Sequence, residues 1–202
     1  MAKILQKGVS YTFRSYFELP QDTDEILAEF GYDYAKTRLQ LPLTQRDIPG
    51  LDALKAQIED TLPYVQLTSE SAKREVLIAP VMMRVATLVH QILRFEYPLK
   101  VNDWLQGSLD YLIRGHNQIV VVEAKRDDLT RGFTQLAVEM IALAMDETAP
   151  DTIYGAVTMG NLWIFGVLNR QTKRITQDIS GYQVPDDVEA LVRTLVGILE
   201  QD

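Results

Sequence analysis

Residues 117–127 read NQIVVVEAKRD, an unbroken apolar run from Ile119 to Val122 that ends against Glu123 and Lys125. Branched Cβ atoms stiffen these side chains and pack well on a pleated surface, so the run favours a strand. In a strand, Ile119, Val121, Glu123 and Lys125 share one face, and Val120, Val122 and Ala124 share the other. Both faces are apolar until the end, which predicts a central strand covered on both sides. A sheet buried on two faces needs covering layers, and the rest of the chain supplies helices for them.

SAKREVLIAPVMMRVATLVHQILRF, residues 71–95, predicts a helix that Pro80 should kink or split by removing a backbone donor. PLKVND, QGSLDYLIRG and NQIVVVEAK then read as three strands. LTRGFTQLAVEMIALAM predicts the next helix in spite of Gly132. TIYGAVTMGNLWIFGVLNRQTKRITQDI reads as a meander turning at Gly160-Asn161 and again from Asn169 to Thr172, and DDVEALVRTLVGILE as a closing amphipathic helix. Earlier in the chain, SYTFRSYFEL alternates as a strand, and DTDEILAEFG carries helix-capping residues and a stopping Gly31. YDYAKTRLQL reads as another strand, and GLDALKAQIEDTL aligns Leu51, Leu54, Ile58 and Leu62 on one helical stripe. PYVQLTSES near residue 65 is the best boundary, dividing a small N-terminal α/β extension, 1–66, from a core, 67–202.

The 202 residues contain no cysteine, which excludes disulfides and thiolate metal sites. MAKILQKGVSYTF has no apolar stretch of signal-peptide length, and nothing approaches the roughly 18 apolar residues of a membrane span. A soluble cytoplasmic protein with no membrane partner is the expectation. The net charge of −8 argues against avid, non-specific nucleic-acid binding, which needs Lys and Arg to neutralise phosphates. A local basic face stays open, since basic residues are concentrated between Lys73 and Arg131 while many acids sit near the two ends.

The charged end of the strand is the candidate site. A turn near Gly115 to Asn117 folds the preceding strand back, placing Asp110 opposite residues near 121 or 122 and close enough to Glu123 to share a ligand. Two carboxylates at the edge of a core repel each other and lose hydration. A hard divalent cation, Mg²⁺ or Mn²⁺, is the usual compensation because oxygen ligands suit it. The Ala124 carbonyl should point to the same place. Lys125 beside it can orient or deprotonate water, or stabilise phosphate charge. Metal-assisted hydrolysis of a phosphodiester is the chemistry such a set would serve. The same spacing also fits a surface Glu123–Lys125 pair with Asp110 bound to Arg126.

In these residues the chain resembles the PD-(D/E)XK nuclease superfamily, most closely the N-terminal nuclease domain of type I restriction endonuclease R subunits. ESAKREVLIAPVM, residues 70–82, is similar to that family's leading helix, with Glu70 at its acidic position and Arg74 at its basic one. GSLDYLI supplies Asp110, VVVEAKR supplies Glu123 and Lys125, and FTQLAVEM places Gln135 at the family's glutamine. YGAVTMGNLWIF resembles the later strand pair, so the likeness spans about residues 69–168. It implies a restriction-endonuclease-like mixed β-sheet flanked by helices and a Mg²⁺-dependent endonuclease, with Mn²⁺ able to substitute, that hydrolyses nucleic acid, above all DNA. Asp110, Glu123 and the Ala124 backbone carbonyl would then bind metal, with Glu70 holding a water on it. Lys125 would handle the nucleophile, and Gln135 would position Lys125 or phosphate.

Two departures matter. Glu139 stands where the family carries a tyrosine after Gln135, and no Walker A motif occurs in the chain. The expected nuclease therefore works alone, as a homo-oligomer or for a partner protein. The competing expectation is a catalytically silent nuclease-fold protein serving as a DNA-binding or assembly module. Glu75 rivals Glu70 for the leading acid. His90 reads as a core-edge residue, His116 as a turn residue, and Met82, Met83, Met140 and Met145 as core filler. Trp104 and Trp163 read as packing residues, with Trp104 near enough to the site to stack on a base.

Overall fold

The computed structural model describes residues 4–115 and 118–201. In chain order come helices α1 (Phe13–Glu18) and α2 (Thr23–Ala28), strand β1 (Asp33–Thr37), and helices α3 (Leu51–Thr61) and α4 (Glu70–Lys73). A π-helical turn, Arg74–Ile78, leads into α5 (Ala79–Val89). Then follow β2 (Leu93–Lys100), β3 (Gln106–Arg114), β4 (Ile119–Ala124) and α6 (Leu129–Ala144). The chain closes with β5 (Thr152–Thr158), β6 (Leu162–Asn169), β7 (Arg174–Asp178), β8 (Tyr182–Gln183) and α7 (Val188–Leu199).

One eight-stranded mixed sheet runs through the protein in the order β1-β7-β6-β5-β4-β3-β2, with β8 added beside β6. The pairs β1/β7 and β4/β5 are parallel and the others antiparallel. Val120, Val122 and Ala124 of β4 enter a core built with α3, α5 and α7, while Val121 enters a second core built with α1, α2 and α6. The β-branched run is thus covered on both faces, as its composition predicts. This is a mixed α/β fold with helices on each side of the sheet. Among the described residues no helix is long and apolar enough to cross a membrane.

α6 is the most enclosed helix, buried from Gly132 to Ala144 with α1 and α2 packed over it. Its sequence is apolar nearly all round, the pattern of a helix with no solvent face. The buried hydroxyls of Thr23 and Thr134 meet at 2.7 Å and tie α2 to it.

Within residues 10–19, where alternation predicts a strand, Phe13–Glu18 form a helix. Phe13 and Tyr16, spaced i,i+3, are both buried, and Ser15 Oγ accepts from the Thr12 backbone N–H at 3.0 Å at the helix start. Tyr11, Phe13 and Phe17 fall on one face at period 2, whereas Phe13 and Tyr16 share a face only in a helix, and packing against α6 decides for the helix. The helix predicted for 71–95 also ends early. Pro80 sits in the first turn of α5, where its missing N–H costs nothing, and the π turn before it absorbs the break. His90 then takes a left-handed conformation (φ 54°) as an exposed C-cap, not a core-edge position, and Leu93 onward pairs with β3 as a strand.

The first 66 residues share the sheet and the cores of the rest. β1 pairs with β7 at one sheet edge, α1 and α2 build one core, and α3 contributes to the other. Met82 and Met140 are core residues, whereas Met83 and Met145 are half-exposed and are not. Trp163 is fully buried and donates its indole N–H to the Gly160 carbonyl at 2.9 Å, closing the β5–β6 turn that Gly160 makes at φ +88°.

Phe13→Ala tests how far α1 belongs to this core. Phe13 is 1% exposed, and deleting a buried aromatic should cost about 3 kcal/mol or more in urea denaturation. A loss within about 0.5 kcal/mol, the range of surface substitutions, would show α1 to be an appendage.

Candidate active site

β3 and β4 pair from Arg114↔Ile119 to Tyr111↔Val122, and the ladder stops there. In that register Asp110 falls level with Glu123, one or two residues further along β4 than the sequence reading places it. Where the backbone ladder ends, the Asp110 side chain takes over. Its Oδ2 accepts from the Ala124 N–H at 2.9 Å. Its Oδ1 lies 3.3 Å from the Arg74 guanidinium, which also reaches Glu96 at 3.7 Å and lies over the Tyr111 ring at 5.3 Å. Arg74 is therefore the partner of Asp110. Arg126 instead pairs with Asp127 at 3.6 Å.

Glu123 is only 2% exposed. Its Oε1 accepts from Lys125 Nζ at 2.5 Å and from Gln135 Nε2 at 2.6 Å. The same Gln135 nitrogen donates to Glu139 Oε1 at 2.9 Å. Both amide protons are thereby used, and a polar line runs inward from Lys125 through Glu123 and Gln135 to Glu139. Glu139 is wholly buried and ends the line inside the core. Among the described residues, Glu123 Oε2, Gln135 Oε1 and Glu139 Oε2 are buried and receive no N–H or hydroxyl, but Glu123 and Glu139 are close enough for a proton on one carboxyl to hydrogen-bond the other.

Electrostatics follow from this crowding. Burial first, and then the Asp110 charge, push the Glu123 carboxyl up to about 7, against the opposing pull of Lys125. Burial, and then Glu123, push Glu139 well above the usual carboxylate range. For Lys125 burial works to lower the pKa, but the Glu123 carboxylate beside it outweighs that and the pKa is raised. Lys125 stands as an ammonium.

A cleft of about 300 Å³ brings together all five side chains expected from the sequence: Glu70, Asp110, Glu123, Lys125 and Gln135. Glu75 lines a separate depression with Glu96 and Tyr111, so the structure brings Glu70 to the site and leaves its rival outside. Trp104 borders another depression, away from these residues. His116 lies outside the described residues. Arg14 and Phe17 of α1 also line the cleft. Both were missed because residues 10–19 were read as a strand. Their i,i+3 spacing, set against the stripe of Phe13 and Tyr16, was the available signal. Of the mid-chain basic residues, Arg84 bonds the Pro49 carbonyl and Arg114 pairs with Asp146. Lys125 and Arg126 do reach the cleft, and Lys73 Nζ holds the Arg126 carbonyl at 2.6 Å.

Among the described residues no three His, Asp or Glu side chains gather closely enough to hold a metal ion by themselves. The site offers two carboxylates, those of Asp110 and Glu123. Mg²⁺ is commonly held by one or two carboxylates and completed by water and substrate phosphates. The donor set suits a hard cation that arrives with a phosphate better than one held in a preformed cage.

The chain matches no family model and no curated protein. Its class therefore rests on what the fold and cleft define: a mixed α/β protein with a buried acidic and basic cluster at the open end of two central strands.

The raised pKa of Glu123 fixes the sign of a pH effect. A carboxyl that holds its proton more tightly when folded stabilises most below its ordinary pKa of 4.5, and that stability is lost as pH rises through about 7. Urea denaturation at intervals between about pH 5 and 8 should show this loss in the wild type and a smaller one in Glu123→Gln, where only Glu139 remains to ionise. Equal slopes would mean that Glu123 titrates as an ordinary carboxylate.

Proposed function

We propose that the protein is a divalent-cation-dependent nuclease of restriction-endonuclease-like fold that hydrolyses phosphodiester bonds, with DNA as substrate. One observation carries this reading. Asp110, Glu123 and Lys125 meet in a single cleft, with Glu70 and Gln135 lining it beside them.

Asp110, Glu123 and the Ala124 carbonyl would hold Mg²⁺ or Mn²⁺, with Glu70 across the cleft ordering water. The bound cation supplies Lewis-acid polarisation of a phosphoryl oxygen and offsets the mutual repulsion of the carboxylates. Lys125, kept protonated beside Glu123, donates to a non-bridging phosphate oxygen as negative charge develops there, a role that favours electrostatic stabilisation over proton abstraction. Gln135 fixes the Glu123 carboxylate through its amide. The water oxygen forms the new bond to phosphorus and its proton leaves to Glu70 or to solvent, while the bridging P–O bond breaks with its electron pair on the departing sugar oxygen, which takes up a proton from solvent.

A second reading, the catalytically silent module, is favoured by one specific contact set. Both Asp110 oxygens are already engaged, one by Arg74 and one by the Ala124 N–H. For catalysis the Arg74 contact has to yield to the cation.

Cleavage of plasmid and single-stranded DNA in Mg²⁺ or Mn²⁺ separates the two readings. Wild type should cut. Lys125→Ala, with its melting curve little changed, should cut about 10²-fold or more slowly. Near-normal cleavage by folded Lys125→Ala would remove Lys125 from the mechanism, and an inert wild type in both metals would favour the silent module.

A further inference from the structure

We infer that Phe17 and Gly132, neither of them part of the D…ExK pattern, are positioning residues that hold the Lys125 ammonium in place in the cleft; its consequence for turnover rests on the nuclease reading. A lysine at the mouth of a cleft has four rotatable bonds and competing partners, here the exposed Asp127 and solvent. Its side chain is nevertheless 12% exposed. Three elements converge to enclose it.

On one side Nζ meets Glu123 Oε1 at 2.5 Å. On another the Phe17 ring lies 5.1 Å from Nζ, inside the ~6 Å at which a ring face attracts a cation. The ring itself is anchored. Phe13 and Tyr16 of the same helix are 1% exposed, and the Tyr16 hydroxyl donates to the Trp104 carbonyl at 2.6 Å.

The stem of Lys125 is enclosed from α6. A Cβ at Gly132 would stand 2.7 Å from Lys125 Cγ and 2.8 Å from Val157 Cγ2, both too close for any side chain. Glycine weakens a helix relative to alanine, and its place in the first turns of α6 follows from the lysine stem that runs beneath it. α1, α6 and β4 thus aim one amine.

The test uses the full chain and reads the ¹H–¹³C signal of the Lys125 ε-methylene, assigned by its loss in Lys125→Arg, together with cleavage kinetics. Wild type and Phe17→Tyr should show this signal displaced upfield by the ring, and Phe17→Leu should lose the displacement. Gly132→Ala should move the same signal with Phe17 intact, which decides the question if Phe17→Leu does not fold. In Phe17→Leu kcat should fall about tenfold or more with KM unchanged, since small misplacement of a catalytic group is costly, and Phe17→Tyr should restore it. A Phe17→Leu protein that keeps the wild-type signal overturns the positioning claim, and one that loses the signal yet cuts at the wild-type rate overturns its role in turnover. A wild type that never cuts overturns the nuclease reading instead, and the signal still decides whether Phe17 holds Lys125.

Discussion

Glu123 sits near the end of a strand whose Val120, Val121, Val122 and Ala124 are sealed in two cores, and keeping a carboxylate there is the constraint that orders its surroundings. Removing a charge from water is costly unless it is paired and hydrogen-bonded. Lys125 supplies the pairing, two residues along the same strand face, and Gln135 supplies an amide from the helix above. Asp110 does the opposite, adding a second negative charge that helps to push the Glu123 carboxyl up to about 7. Asp110 also has structural work, accepting from the Ala124 N–H and pairing with Arg74, and under the proposed function it is one half of a ligand pair.

The architecture delivers these groups by ending elements at one point. The β3–β4 ladder stops at Tyr111↔Val122, and Asp110 then bonds the Ala124 N–H in place of a ladder partner. β4 continues beside β5 to Ala124↔Thr158, with Lys125 N–H still bonded to the Thr158 carbonyl at 2.7 Å. The strand is therefore held rigidly on one side while it opens on the other. α6 lies above the opening and presents Gln135 downward, with Glu139 one turn further in. A site built on strands and a buried helix is better fixed than one built on loops.

Much of this was legible in residues 108–127 alone. Strand burial, the shared face of Glu123 and Lys125, and the return of Asp110 follow from periodicity and one turn. Gln135 and Glu70 were reached through resemblance, since helix patterning marks neither one as different from a solvated polar residue. What stayed hidden depended on tertiary packing. Tyr11, Phe13 and Phe17 suit a strand while Phe13 and Tyr16 suit a helix, and only α6 packed against them settles the choice. His90 ends α5 by its backbone conformation, which the surrounding apolar run does not announce. The Arg74–Asp110 contact joins residues far apart in the chain across a π turn. Glu139 was visible as a departure from a pattern, but only burial makes it the inner end of the Glu123 network.

Under the proposed function, Asp110, Glu123 and the Ala124 carbonyl take up a hard cation brought in with a phosphate. Mn²⁺ titrated into ¹⁵N-labelled protein, with a short uncleavable phosphorothioate oligonucleotide present, tests it directly, because the paramagnetic ion erases the amide signals nearest to it. The account predicts losses confined at first to Asp110, Tyr111, Glu123, Ala124, Lys125 and the start of α4. Broadening centred on any other part of the fold, or none at all with the oligonucleotide bound, would contradict it.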